Sequence, residues 1–375
     1  MKTIKALSLL ACLTGVSTLV AAQDNRALEI GHEYMLALNL PNNLHVIDTA
    51  TDRIYKSCDL PDAYGPGTAQ VSPDGKFAYI LNNHYGDLYG VDMDSCETVF
   101  HARLAINPNE STRSMFSIAV SRDGKEIYSV ANPSTLYNDH MKVQPPRLQV
   151  YAADGGLQAK PTRTFEVPRQ ISILMVADDG SLYMAGVTGI FKTNVHTGKY
   201  TMAVATREWK RPGYGAPDIL YVWPHQTEMN DFTLLYTAPK FKDSKQDLQT
   251  ADYVYGYISI DLKTGRSTVK DFAPFTEIYF TGLRSPKHPG QMYGVLNKLA
   301  RYDIKSQTLL GRSDLDHTYY CVAFNNSGSK LYLGGALNDI AIFDPETLKP
   351  VGKIQLPGGD MADSTLQVFV RQAHL

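Results

Sequence analysis

The side chains able to do chemistry are thinly spread. His45, His84, His101, His140, His196, His225, His288 and His317 stand apart, with no HExxH, no HxH and no ligand-spaced cluster. No metal site is therefore indicated. No GxSxG elbow occurs, and no glycine-rich loop leads into a helix. Asp74, Asp123 and Asp179 are each followed by Gly, and a tight turn accounts for all three. CxxC and CxxCH are absent, so there is no thioredoxin-like motif and no standard c-type haem site. No catalytic residue is assigned to this chain.

Aromatic residues carry more information. The chain has 23 tyrosines, and several aromatics fall where strands would line a channel or its mouth: Tyr319 and Tyr320 after His317, Tyr279 with Phe280, Tyr221 with Trp223, and Phe116. Such a position more often packs a core than touches a ligand. Adjacent Tyr319 and Tyr320 cannot face the same side of a strand. One is expected to pack between sheets and the other to face the channel end, with His317 a loop residue or a rim contact.

The elements that would position these residues repeat. Within Tyr319–Pro357, a strand over Tyr319–Phe324 alternates large with small or polar residues. Asn325–Gly328 reads as a turn, Leu331–Gly334 and Asp339–Phe343 as strands, Asp344–Thr347 as a second turn and Val351–Leu356 as a fourth strand. Four strands in about forty residues outline one propeller blade.

A marker in which an apolar residue precedes Asp, or a relative, and a turn recurs at Val46, Val91, Val150, Lys192, Ser259, Arg301 and Ile342. Hairpins with Asp-Gly or Ser-Gly at the turn accompany several copies, as in VSPDGKFAYI from Val71 and FNNSGSKLYLGG from Phe324. The expected fold is all-β, a seven-bladed β-propeller. Tyr34–Leu60 lacks one strand, which Ser364–Val370 can supply, so pairing of the N- and C-terminal strands closes the ring. The other blades are expected at about Gly67–Leu104, Met115–Val167, Gln170–Ala205, Pro217–Phe272, Glu277–Leu315 and His317–Leu356. Blades three and five carry polar insertions, Asn132–Arg147 and Ala238–Tyr253, expected as surface loops.

The first residues read as a secretory leader: Lys2 and Lys5, an apolar run over Ala6–Val20, then small residues before a cut expected after Ala22. The run is shorter than the 18 to 20 or so residues of a membrane span. Removing residues 1–22 leaves 375 − 22 = 353, read as one propeller domain over 23–375, exported and not membrane-inserted. An oxidising compartment permits a disulfide, and Cys58 with Cys96 is the only pair at comparable places in neighbouring repeats. Geometry decides whether it forms. Cys321 reads as a buried small hydrophobe. A net charge of −2 from 36 basic and 38 acidic residues, without blocks, argues against nucleic acid or an anionic membrane as partner.

Longer phrases resemble one family: VPRQISILMVADDGSLY from Val167, DHTYYCVAFNNSGSKLYLGGALNDIAIFDPETL from Asp316, and KIQLPGGDMADSTLQVFVR from Lys353. They are similar to the β subunit of quinohemoprotein amine dehydrogenase, and the likeness spans essentially the whole mature chain. The LGGALND and PRQI phrases are specific, whereas Asp-Gly hairpins occur in many propellers.

The resemblance implies a periplasmic propeller with no cofactor of its own. It implies a small γ subunit carrying cysteine tryptophylquinone and an α subunit carrying two c-type haems. Primary amines would be oxidised to aldehyde and ammonia, with the catalytic base on the γ subunit. This chain would help enclose the quinone and form part of the substrate pocket, and Tyr319, Tyr320, Phe280 and His317 are its candidate wall. Two other readings stand beside it. One is a non-enzymatic exported propeller that binds a protein or cell-surface partner. The other is a lactonase-like hydrolase, which wants carboxylates, Asn or His converging on one metal in the channel.

Overall fold

The seven markers become seven antiparallel sheets around a common axis. In six blades the polar residue of the marker binds its own turn. Asp48, Asp92, Asn194, Asp261, Asp303 and Asp344 each accept a backbone N–H from two or three residues on, at 2.7–3.0 Å. These short bonds fix the turn from third to outer strand, so the marker repeats because the turn does.

The structure is a computed structural model that describes residues 26–61, 65–220, 230–361 and 366–373. The leader expected over 1–22, His225, and the aromatic candidates Tyr221 and Trp223 lie outside the described residues. Among the described residues there is no α-helix, only one short 3-10 turn at Gly156–Gln158, and no helix is long and apolar enough to cross a membrane.

Closure joins the ends of the chain. Gln367–Val370 is the inner strand of blade one and pairs antiparallel with Glu33–Leu36, so the sheet order runs from the last strand to the first three. The inner strands of six blades touch in order around the axis, from Tyr279–Arg284 through Cys321–Phe324, Gln367–Val370, Ala69–Val71 and Glu110–Val120 to Ile171–Val176, and blade five meets blade six where Asp231–Lys240 touches Tyr279–Arg284.

The core sits between blades. Each of the seven hydrophobic clusters draws on two neighbouring sheets. Inner elements are therefore buried on both faces, as at Asp339–Phe343, while an outer strand such as Pro350–Gln355 is largely exposed. Large aromatics fill these wedges, and fully buried Tyr34, Tyr151, Tyr236, Tyr293 and Tyr332 are among them.

The structure corrects three expectations. The inner strand of blade seven begins at Cys321, leaving Tyr319 and Tyr320 in the lead-in loop. Tyr320 still donates its N–H to Gly334 O at 2.9 Å, so the loop is tied down without being part of the ladder. The Asn132–Arg147 insertion is partly strand. The second strand of blade three continues to Leu136, turns, and returns as Met141–Val143, paired with Ser134–Leu136. The turn Tyr137–His140 closes by a 2.9 Å backbone bond. In blade five the flanking strands likewise extend to Lys240 and from Asp252, so the loop proper is 241–251.

Cys58, on the outer strand of blade one, is bonded to Cys96, in the turn before the outer strand of blade two, with a Cα–Cα distance of 5.3 Å. Cys321 is buried and unbridged.

Candidate functional site

Alternation of strand direction sorts the loops by end. Lead-ins to inner strands, and loops from second to third strands, all emerge at one end of the ring; the tight hairpin turns emerge at the other. Both insertions join second to third strands, so both rise from the first end. Exposed large apolar side chains also gather there: Ile106, Met115, Leu136, Met141, Phe275 and Ile278 lie on its loops and extensions. Tyr200, Met202, Val269, Leu309, Leu310 and Val351 instead lie along outer strands. A grouped set marks an interaction surface, whereas single exposed residues do not.

The four candidate wall residues also belong to this end, but they divide into two pairs. Tyr320 and Phe280 are half-buried and meet edge to face across blades six and seven, with ring centres 4.8 Å apart. Tyr319 points the other way and is fully buried among Leu283, Tyr293, Leu299 and Val322. It packs two blades together and lines no open wall. The His317 ring lies tilted against Tyr319, with ring centres 4.0 Å apart.

His317 and Tyr319 instead enter a polar network. His317 Nε2 lies 2.9 Å from Asp339 Oδ1, and its Nδ1 lies 2.8 Å from the Thr318 carbonyl. The Tyr319 hydroxyl donates to Asp316 Oδ1 at 3.0 Å. Lys353 Nζ bridges the two carboxylates, 2.5 Å from Asp316 and 2.7 Å from Asp339. The Lys353 bond holds the Asp316 carboxyl down at about 2. Burial, with Asp339 and Asp316 alongside, drives the Tyr319 phenol well up, so it stays neutral.

Ligand atoms of Asp316, His317 and Asp339 lie within 4.8 Å of one another, an arrangement the sequence did not disclose. Yet the Lys353 ammonium already sits between the carboxylates. A cation is built in, and the group acts as a lock on the lead-in loop. Sequence reasoning named His317 and missed Asp316, Asp339 and Lys353. The signal was present in part, because Asp316 and Asp339 stand within the DHTYY and LGGALND phrases.

At the opposite end the axis opens into a cavity of about 390 Å³. Gln70, Arg122, Asn230, Asn326 and Gln367 supply its polar lining. Asp231 also borders it but is engaged by Arg284, and Arg122 pairs with Asp178. A metal-centred hydrolytic site needs several carboxylate or imidazole ligands aimed at one point. Among the described residues that line this cavity, Asp231 is the one carboxylate and there is no imidazole.

No protein-family model matches the chain, and no curated protein matches its sequence. Solved structures do. The periplasmic gluconolactonase PpgL of Pseudomonas aeruginosa superimposes with a TM-score of 0.56 at 14% identity, covering 90% of this chain and 99% of that one. A functionally unknown protein from Desulfotomaculum acetoxidans gives 0.55 at 13%, with the same coverage of 90% and 99%. A chain of Kuenenia stuttgartiensis hydrazine synthase gives 0.51 at 12%, covering 82% and 94%. At such identities the likeness is one of fold. It shows a β-propeller whose structural neighbours include enzymes and subunits of enzymes.

Proposed function

We propose that this chain is the propeller subunit of a periplasmic quinohemoprotein amine dehydrogenase, a rigid platform that seats a small quinone-bearing subunit beside a dihaem cytochrome. The observation that carries the reading joins sequence to structure. The two specific phrases, PRQI and LGGALND, reach the same end of the ring, together with the flanking DHTYY and PGGDM segments. Val167–Gln170 leads into blade four, Asp316–Tyr320 leads into blade seven, Gly335–Asn338 joins the second and third strands of blade seven, and Pro357–Met361 leaves its outer strand. That end also carries the grouped apolar residues and both extensions.

In such a complex the partner chains hold the quinone and the haems, which supply the oxidation of a primary amine to aldehyde and ammonia and carry the electrons away. The present chain's part is positional. A platform built of seven mutually packed sheets holds a partner in fixed register. Tyr320 and Phe280, edge to face and half-buried, offer an apolar wall that would keep bulk water from the reacting carbon and favour the alkyl or aryl part of the amine. Tyr319 and His317 act behind that wall by fixing the loop that bears Tyr320. In this reading they are positioning residues.

The test is kinetic. Tyr320→Ala and Phe280→Ala should each raise KM for long-chain amines about tenfold while leaving the unfolding midpoint nearly unchanged. An unchanged KM with a lowered midpoint would make both residues packing only. The grouped apolar face also favours a second reading, a non-enzymatic exported propeller that binds a protein or cell-surface partner. The two part on whether haem and quinone chains co-purify.

A further inference from the structure

One part of the partner-facing end is held in costly backbone geometry. Asn83, His84 and Tyr85, joining the second and third strands of blade two, have φ of 49°, 53° and 62° in succession. Phe116, in the inner strand of blade three, has φ 59°. Left-handed backbone is rare for bulky residues, and such outliers persist where the surroundings impose them.

Here the surroundings are specific. Phe116 lies in a bulge where the register slips between Ser114 and Ile118, and a bulge re-aims side chains. Ser114 N–H donates to Tyr85 O at 2.9 Å, tying the two strained segments together. Gly67 lies under the Tyr85 ring so closely that a Cβ there would come within 2.0 Å of it. The product is an edge-to-face pair, Tyr85 with Phe116, ring centres 5.3 Å apart, both half-buried. Met115 projects beside it, 55% exposed.

The exposed charges at this end of blades two to four are mostly of one sign. Arg103, Arg113, Lys142 and Arg169, on blades two to four at the same end, are exposed and make no ion pair among the described residues. Glu110 is neutralised by Arg147, and Asp87 is buried beside His101. Exposed carboxylates nearby are Asp139, which bonds His140, and Glu166.

We infer that Tyr85, Met115 and Phe116, with Arg103, Arg113, Lys142 and Arg169 exposed at the same end of blades two to four, form the seat for a protein partner that presents an apolar side chain within a carboxylate-rich rim. The partner's name, the small quinone-bearing subunit, rests on the function proposed above; its chemistry rests on the seat. Apolar anchors with complementary charge at the rim give affinity at the centre and steering at the edge.

The experiment places a photo-crosslinking amino acid at Met115, and as a control at Leu310 on an outer strand, in the full chain expressed in its native host. Products are identified by mass spectrometry with the crosslinked peptide mapped. A product from position 115 and not 310, joined at an acidic segment and reduced about tenfold by the double charge reversal R113E/R169E, is expected. If its partner is the small crosslinked subunit, both proposals stand. If it is a different acidic protein, the seat stands and the amine dehydrogenase reading fails. No product at 115 while haem and quinone chains still co-purify overturns the seat alone. No product and no co-purifying chain overturns both.

Discussion

His45 is buried and lies 2.7 Å from Ser57 Oγ and 3.0 Å from Asn39 Oδ1, and burial pulls its imidazole down to about 4. A folded value below the free one near 6.5 means the unfolded chain takes up the proton first. The contribution is thus complete above about pH 6.5 and is lost as pH falls toward 4, by about 3 kcal/mol. Urea midpoints between pH 7 and pH 4 should show that slope, and His45→Gln should remove it. At the Lys353 bridge the carboxylate that matters is Asp339, which is buried. Lys353→Met strands it, although the lysine's own exposure limits the loss to about 1 kcal/mol. The resulting loosening of Tyr320 should appear as a changed KM before any change in fold. At this scale the sequence was only partly legible. Tyr319 and His317 could be singled out by type, but their partner Lys353 stands more than thirty residues away, and only the folded blade brings it near. That Tyr319 faces inward and Tyr320 outward followed from strand alternation in principle. In fact it arises in a loop, where the rule has no force.

The blade-three extension shows what composition hides in an element. Asn132–Arg147 is polar and contains prolines, which is why a loop was expected. It nonetheless forms a strand because Leu136 and Met141 can pair across a four-residue turn, while Pro145 and Pro146 stop the strand soon after. The lead-in to blade five is held differently. Asp271 is buried; burial pushes its carboxyl up, yet bonds from Arg211 at 2.6 Å, Tyr214 at 2.5 Å and Tyr236 at 2.5 Å hold it below the ordinary range. A depressed carboxylate stabilises the fold above its unfolded value near 4 and ceases to do so as pH falls through the folded one. Asp271→Asn should cost about 3 kcal/mol at pH 7 and flatten the acid limb of the stability curve. A full-strength acid limb in that variant would remove the network from the account. This pin is invisible in the sequence, since its members come from a loop, a second strand and an outer strand.

At the scale of the molecule the outline was legible because repetition is local: each marker is a turn, and a turn is encoded by three or four residues. The closing strand was legible too, since one blade lacked a member and the last apolar alternation had no other place. Less visible was how strongly that closure is reinforced. Arg371 pairs with Asp94 at 2.8 Å, Leu28 N–H donates to the same carboxylate at 2.9 Å, and the Cys58–Cys96 bond joins the adjacent blades. Removing residues 366–375 should leave Glu33–Asn39 as an open edge, read as aggregation on gel filtration. Replacing both cysteines by serine opens a loop of 38 residues and should lower stability by about 4 kcal/mol, with the ring still formed.

The ring is proposed as the platform of an amine-oxidising complex. The most direct measurement is affinity purification of the full chain from the native periplasm, followed by a haem stain, intact mass and amine-dependent dye reduction. The expected result is a haem-staining chain, a small polypeptide lighter than its encoded mass by the hydrogens lost in crosslinking, and activity that follows the complex and is absent from this chain alone. A lone, colourless propeller recovered under gentle conditions would contradict it.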